Sequence, residues 1–457
     1  NPRCRKSDAL TMMTGIIIKP PTQPNPGTDM LAQALSRQFA RWGIHYGWAM
    51  VAVTFCVSIV TAGAQGLPGA LILPLTHEFG WNVDQISGAL ALRILLYGLM
   101  APFAAALIEN HGLKRVILGA LALISCGLLL ALAMTKVWHL VLLWGVVVGL
   151  ATGMTALVMS AIVATRWFTA RRGLVLGILT ASNATGQLVF LPLAAWLESR
   201  YGWRVALAPT LIGIVIAAIG VLLFMVDRPS DVGLAAYGET GRAPAVAAPA
   251  PAFSTALNTL REASRNPIFW ILAGTFFVCG LSTNGLVQTH FISLCADYGI
   301  PSVEAASMLG IIGICDFFGT IVSGWLSDRY DNRALLFVYY GLRGLSLLYL
   351  PASSFSVYGL SLFAVFYGLD WVATVPPTVR LTAQTFGREK AGVVFGWIFA
   401  SHMIGAAVAA YGAGFTRVRF QTYLPAFYAA GALCLVAAVA VWLIERKPVP
   451  KVAPAAA

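Results

Sequence analysis

The chain has 457 residues, of which 58% are hydrophobic and only 11% charged, with a mean hydropathy of +0.78 and a formal charge of +12. A soluble domain carries about 25% charged residues, so composition excludes an ordinary soluble protein and points to one embedded in a bilayer. The basic excess marks orientation rather than nucleic acid, because the positive charges are sorted by side instead of gathered into a patch.

Apolar stretches long enough to span about 30 Å of hydrocarbon recur along the chain. They predict twelve membrane helices, near 47–75, 84–108, 115–135, 138–164, 173–198, 203–226, 267–296, 302–327, 334–353, 355–384, 391–415 and 421–444. These runs are long and continuous, unlike the short alternating segments of a β-barrel. The expected organisation is a loosely ordered cytoplasmic tail over 1–44, a six-helix bundle over 45–226, a linker over 227–266, a second bundle over 267–444 and a short tail over 445–457. In the linker, the Pro/Ala run 243–251 predicts an extended spacer, and 254–265 has the pattern of a short amphipathic surface helix. With both termini in the cytoplasm, 22 of the 30 Lys and Arg fall on the inner side. Lys136, Arg200, Arg204, Arg417 and Arg419 fall outside, while Arg93, Arg343 and Arg380 are embedded. The seven cysteines show no paired spacing and read as small apolar packing residues.

Polar side chains inside apolar helices are costly, about 2.5–3.5 kcal/mol for a charge at the bilayer centre, so each needs a cavity or a partner. In chain order, span 1 carries Gln65 among Gly63, Gly66, Pro68 and Gly69, a helix softened where it would line a cavity. Span 2 carries Arg93 and, one turn on, Tyr97. Span 5 places Thr180, Asn183 and Gln187 on one face, and span 7 does the same with Asn284 and Gln288, His290 lying nearer its outer end. Span 8 carries Asp316, Thr320 and Ser323 as one polar stripe. Span 9 holds Arg343, with Asp316 or Asp370 as its expected partner. Span 10 holds Asp370, Pro376 and Pro377, with Arg380 near its inner end, and span 11 holds His402.

Shifted by 219 residues, the chain aligns with itself: Gln65 meets Asn284, Glu109 meets Asp328, Lys114 meets Arg333, Asn183 meets His402 and Gly186 meets Gly405. Two apolar halves built on one pattern are the mark of a transporter whose site lies between the repeats. On this reading Arg93, Tyr97, Gln65, Asn183, Gln187, Asn284, Gln288 and His402 are the candidate substrate-binding residues. Asp316 and Asp370 are the candidate proton carriers. Asp316 falls on the position of Tyr97, so spans 2 and 8 are expected to face the pathway at related places. Helix–helix hydrogen bonding is the competing role for the uncharged members.

The loop Gly324-Trp325-Leu326-Ser327-Asp328-Arg329-Tyr330-Asp331-Asn332-Arg333, and its counterpart Ala105 to Arg115, resemble the G-x-L-x-D-R-x-G-R-R motif of the major facilitator superfamily. The resemblance implies an all-α membrane fold of two six-helix bundles. It also implies a gate latched by Glu109, Lys114, Asp328, Arg329 and Arg333. Tyr46-Gly47-Trp48, Glu78-Phe79-Gly80-Trp81 and the run Arg166 to Gly177 are similar to the bacterial monocarboxylate-porter-like group. That group's cation in span 1 is replaced here by Gln65 and Gly66, and the arginine four residues after its span-8 aspartate by Thr320.

The resemblance therefore implies a monomeric, proton-coupled secondary transporter of a small organic anion, carboxylate or zwitterion, multi-pass in a bacterial inner membrane. An exporter of amphipathic metabolites or drugs is the alternative. No nucleotide-binding loop, metal-ligand cluster or nucleophile–base pair is evident, so neither an enzyme nor a cofactor is expected.

Overall fold

A computed structural model describes residues 26–155, 157–239 and 252–445. Within its helices the side chains of a few residues, including Glu109, Asn183 and Gln187, lie outside the described set. The first six long helices are α1 (Gly47–Phe79), α2 (Val83–His111), α3 (Leu113–Ala131), α4 (Val137–Trp167), α5 (Arg172–Tyr201) and α6 (Trp203–Phe224). The second six are α7 (Pro267–Asp297), α8 (Ser302–Ser327), α9 (Asn332–Tyr349), the divided α10 (Val357–Leu369 and Val375–Phe386), α11 (Arg388–Phe420) and α12 (Leu424–Ala440). Among the described residues, ten helices are long and apolar enough to cross a membrane.

Local chemistry explains where the helices start and stop. Gly80 ends α1 in the left-handed region (φ 66°), its N–H bonding back to the Thr76 carbonyl. The Gln85 side chain accepts from the Asn82 N–H at 3.2 Å and opens α2. The Asn266 side chain accepts from Ile268 N at 2.9 Å, with Pro267 at the first helical position, and opens α7. Span 10 breaks over 370–374, ahead of Pro376 and Pro377, which cannot donate backbone hydrogen bonds.

Residues 26–41 depart from the loosely ordered tail expected of them. Pro26–Arg41 is a helix that packs on α6, with Ala32 and Ser36 buried and Leu35 and Phe39 against the core. An apolar stripe at helical spacing orders the segment despite its polar composition. The linker helix forms over Ala252–Ala263, packing against both α2 and α11. The Pro/Ala run ahead of it lies outside the described residues.

One apolar cluster gathers residues from α1 to α6 and another lies wholly in the second half, while a third joins second-half residues to Ala70 of α1 and to Leu191 and Ala195 of α5. The halves meet along α2–α11, α1–α7 and α5–α8. Equivalent glycines set equivalent contacts inside each half. Gly186 on α5 abuts the Ile59 backbone of α1, and Gly405 on α11 abuts the Phe277 backbone of α7. A Cβ at either position would collide with a carbonyl oxygen, so only glycine permits that approach. The face where α1 begins and α12 ends is the terminal face; the other is the far face.

Candidate functional site

Between the halves a cavity of about 30 Å³ is lined by Gln65 of α1, Arg93 and Tyr97 of α2, Asn284 and Gln288 of α7, and Met403 of α11. It has room for a water or two, so an organic cargo needs the walls to part. Gln65 and Asn284, paired by the repeat, do line one cavity. The α7 contribution depends on a π-helical segment, Leu281–Val287, which carries Asn284. The Thr289 hydroxyl donates to the freed Asn284 carbonyl at 2.7 Å.

Arg93 is the unusual group. It is 6% exposed and has no hydrogen bond or ion pair among the described residues, its Nε buried without a partner. A fixed cation in this position needs an anion, and its planar fork fits a carboxylate. Tyr97 lies one turn away, edge-on to Phe399 of α11 at 6.5 Å. His402 does not line the cavity; it stands behind Asn284, with Nε2 3.1 Å from Asn284 Oδ1. Its ring lies between Phe276, at 4.8 Å, and Phe399, at 5.6 Å. The side chains of Asn183 and Gln187 lie outside the described residues.

Asp316 does not line this cavity, so α2 and α8 do not present related polar positions to it. Its carboxylate is 2% exposed and turned toward the break in α10. There Oδ1 accepts from Val372 N at 2.8 Å and from Thr320 Oγ1 at 2.9 Å. A broken helix frees N–H and carbonyl groups, and the carboxylate satisfies one of them. The freed carbonyls of Asp370 and Trp371 accept from Arg343, whose Nε also donates to Asp370 Oδ2 at 2.7 Å. Arg343, fully buried, further donates to Cys279 Sγ at 2.9 Å. Arg343 thus pairs with Asp370, and the two carboxylates and one guanidinium form a buried cluster inside the second half. His290 is buried against α11, with Nε2 2.7 Å from the Ala410 carbonyl.

The terminal-face loops solve one problem in two ways. After α8, the Asp331 side chain accepts from Arg333 N at 3.0 Å and pairs with the Arg333 guanidinium at 2.8 Å. After α2 the equivalent position is Gly112 (φ 88°), and the carboxylate arrives from the end of α6 instead. Asp227 Oδ1 accepts from Lys114 N at 2.9 Å, and Lys114 Nζ donates to the Leu222 carbonyl at 2.8 Å. Each helix start gains a carboxylate against its positive dipole end. Asp328 bonds Arg380 of α10, while Arg329 stacks on Trp325 at 4.1 Å. The side chain of Glu109 lies outside the described residues.

Sequence reading missed Met403, Thr289 and Asp227. Met403 is signalled only by its place beside His402, and Asp227 had no signal, since 113 residues separate it from the helix it caps.

A model of the Major Facilitator Superfamily matches residues 53–410. Monocarboxylate transporter 13 of Rattus norvegicus is similar at 24% identity over 393 residues, 85% of this chain and 87% of that protein. The uncharacterized MFS-type transporter YcxA of Bacillus subtilis is 23% identical, over 80% of this chain and 87% of its own length. The MFS-type transporter hasB of Aspergillus fumigatus is 28% identical, over 79% and 80%.

Proposed function

The chain belongs to the Major Facilitator Superfamily, and on that premise we propose that it is a proton-coupled secondary transporter of a small organic carboxylate. The observation that carries this reading is Arg93, a buried cation without a hydrogen-bond or ion-pair partner among the described residues, in a cavity between the halves shared with the α1 and α7 amides. The relatives named as monocarboxylate transporters support the same cargo class. The positive-inside distribution supports a terminal face in the cytoplasm, and a monomer in a bacterial inner membrane completes the proposal.

Transport proceeds by rocking of the two six-helix halves about the cavity. Contacts that seal the far face must then separate in each cycle. Gly69 of α1 is one such contact: a Cβ there would stand 2.6 Å from the Gln288 carbonyl of α7. Gly69→Leu is expected to hold this seam apart. An impermeant maleimide should then label a cysteine placed at position 403 several-fold faster from the far side, with uptake reduced. Unchanged labelling would mean the seam does not gate.

Coupling is proposed to run through Asp316. Its carboxylate is buried near the Arg343–Asp370 pair but bonds Val372 N and Thr320 instead of the guanidinium, so the cluster holds a second carboxylate with no ion-pair partner among the described residues. In proteoliposomes, Asp316→Asn is expected to abolish proton-driven accumulation of a labelled carboxylate while leaving exchange measurable. Unchanged accumulation would move the role to Asp370. The second reading, export of amphipathic compounds, is favoured by Ile94 and Met403, the apolar side of the cavity wall. Efflux of an amphipathic dye without carboxylate uptake would select it.

A further inference from the structure

The two halves differ where each carries its cavity amide. Residues 281–287 of α7 form a π-helix, and the Gln288 N–H at its end bonds back five residues to the Thr283 carbonyl. Their counterparts under the repeat, residues 62–68, lie within the unbroken α-helix α1. Gln65 therefore reaches the cavity from a regular helix, and Asn284 from a π turn. Such turns are rare and occur often at functional sites.

Two contacts tie this turn to the charged cluster of the second half. The Tyr367 hydroxyl of α10 donates to the Ser282 carbonyl at 2.7 Å, inside the π turn. One turn earlier, Cys279 Sγ accepts from Arg343 at 2.9 Å. Sulfur is a weak acceptor, so the hydroxyl is the firmer tie. Its direction is fixed, because a backbone carbonyl can only accept. Tyr367, Ser282, Cys279 and Arg343 are all buried. The first half has neither contact: Val148 stands at the position of Tyr367, Val60 at that of Cys279 and Ile124 at that of Arg343. Where the polar side chains are missing, the equivalent helix stays α-helical.

We infer that Tyr367 is a positioning residue whose hydroxyl ties the π turn of α7 to α10, so that the state of the α10 break reaches Asn284 in the cavity wall. This rests on the proposed coupling through Asp316. Tyr367 lies three residues before Asp370, on the segment of α10 that runs into the break, and its ring meets Trp371 edge-on at 5.6 Å. At the break Asp316 accepts from Val372 N. A charged carboxylate accepts about twice as strongly as a neutral group. Protonating Asp316 therefore loosens the break, and Tyr367 moves with it. The π turn can answer in a discrete step, since reverting to an α-helix turns one side of α7 about 100° against the other. By linkage the influence runs both ways, so a cargo drawing on Asn284 acts back on the proton site.

Tyr367→Phe removes only the hydroxyl and keeps the ring stacked on Phe363 at 4.9 Å, so the fold is expected to stand. Asp316→Asn supplies a neutral side chain of the same shape. Hydrogen exchange of the segment 281–288 is measured on the full chain in nanodiscs, at one pH and without cargo, for wild type, both single variants and the double variant. With Tyr367 present, Asp316→Asn is expected to change exchange there by about threefold or more; combined with Tyr367→Phe, it should change it little. An equal change in both backgrounds, or none in either, would overturn the inference. Uncoupling by Cys279→Ala but not by Tyr367→Phe would place the tie at the sulfur and overturn it as well. In proteoliposomes, Tyr367→Phe should lower proton-driven accumulation of labelled 2-oxopropanoate severalfold while its counter-exchange is retained. Equal loss of both would mean a merely structural role. Absence of proton-driven accumulation in wild type would count against the proposed transport activity, while the exchange measurement would still decide the tie.

Discussion

Replacing Arg93 with glutamine is expected to lower carboxylate uptake by about 10- to 150-fold, the loss of a charge-assisted contact worth about 1.5–3 kcal/mol. Folding should not suffer, because the wild-type guanidinium has no partner among the described residues to lose. An unpaired cation costs free energy within the membrane, so the variant's melting temperature should equal or exceed that of wild type. Arg93→Lys is the sharper test. It keeps the charge but loses the planar fork, and a binding role predicts markedly weaker affinity with full membrane insertion. A purely structural cation would tolerate lysine. Combining either change with Asp316→Asn should bring no rescue, since Asp316 is engaged with Val372 and Thr320 at the α10 break rather than with α2. Recovery of transport in the double variant would show that the two charges neutralise one another and would end the binding role.

Arg343 and Asp370 are expected to behave in the opposite way. Their pair is buried, and Arg343 also holds the carbonyls freed where α10 breaks. Removing one partner leaves an uncompensated charge inside the second half. Arg343→Gln or Asp370→Asn should therefore destabilise the protein by about 3–5 kcal/mol, seen as a large fall in thermal stability in detergent. The double replacement Arg343→Met with Asp370→Leu should recover part of that loss, because an apolar pair of similar volume removes both desolvation penalties but leaves the Asp370 and Trp371 carbonyls without the guanidinium. Uptake by the stable double variant then settles a further point. Retained proton-driven accumulation would exclude Asp370 as carrier, whereas its loss with stability intact would place the proton there instead of on Asp316. Single variants as stable as wild type would overturn the structural role.

Much of the molecule was legible in one dimension because the bilayer imposes a simple rule. A segment that crosses hydrocarbon must be long, apolar and helical, so composition and run length were enough to place the spans, and α8 runs over the predicted 302–327. The internal repeat carried further, since residues equivalent by 219 positions, such as Gln65 and Asn284, reach one cavity. The rarity of charge inside apolar helices likewise singled out Arg93, Asp316, Arg343 and Asp370 in advance.

What the sequence could not decide is which neighbour each polar group meets. Asp316 and Tyr97 occupy equivalent positions, yet Tyr97 faces the cavity and Asp316 the break in α10. The break falls where two prolines follow it, and the backbone groups it frees draw the carboxylate away. His402 read as a contact residue because it matches Asn183, but its ring, packed against Phe276 and Phe399, stays behind Asn284 and outside the cavity lining. Asp227 is the plainest case. The α3 start needs a carboxylate, the local residue is Gly112, and the chain supplies the group from the end of α6. Sequence thus determined the spans, the repeat and the set of expensive polar groups, because each is a property of one helix in lipid. Tertiary structure alone decided the pairing and direction of those groups, because a hydrogen bond is won by whichever partner packing brings within about 3 Å.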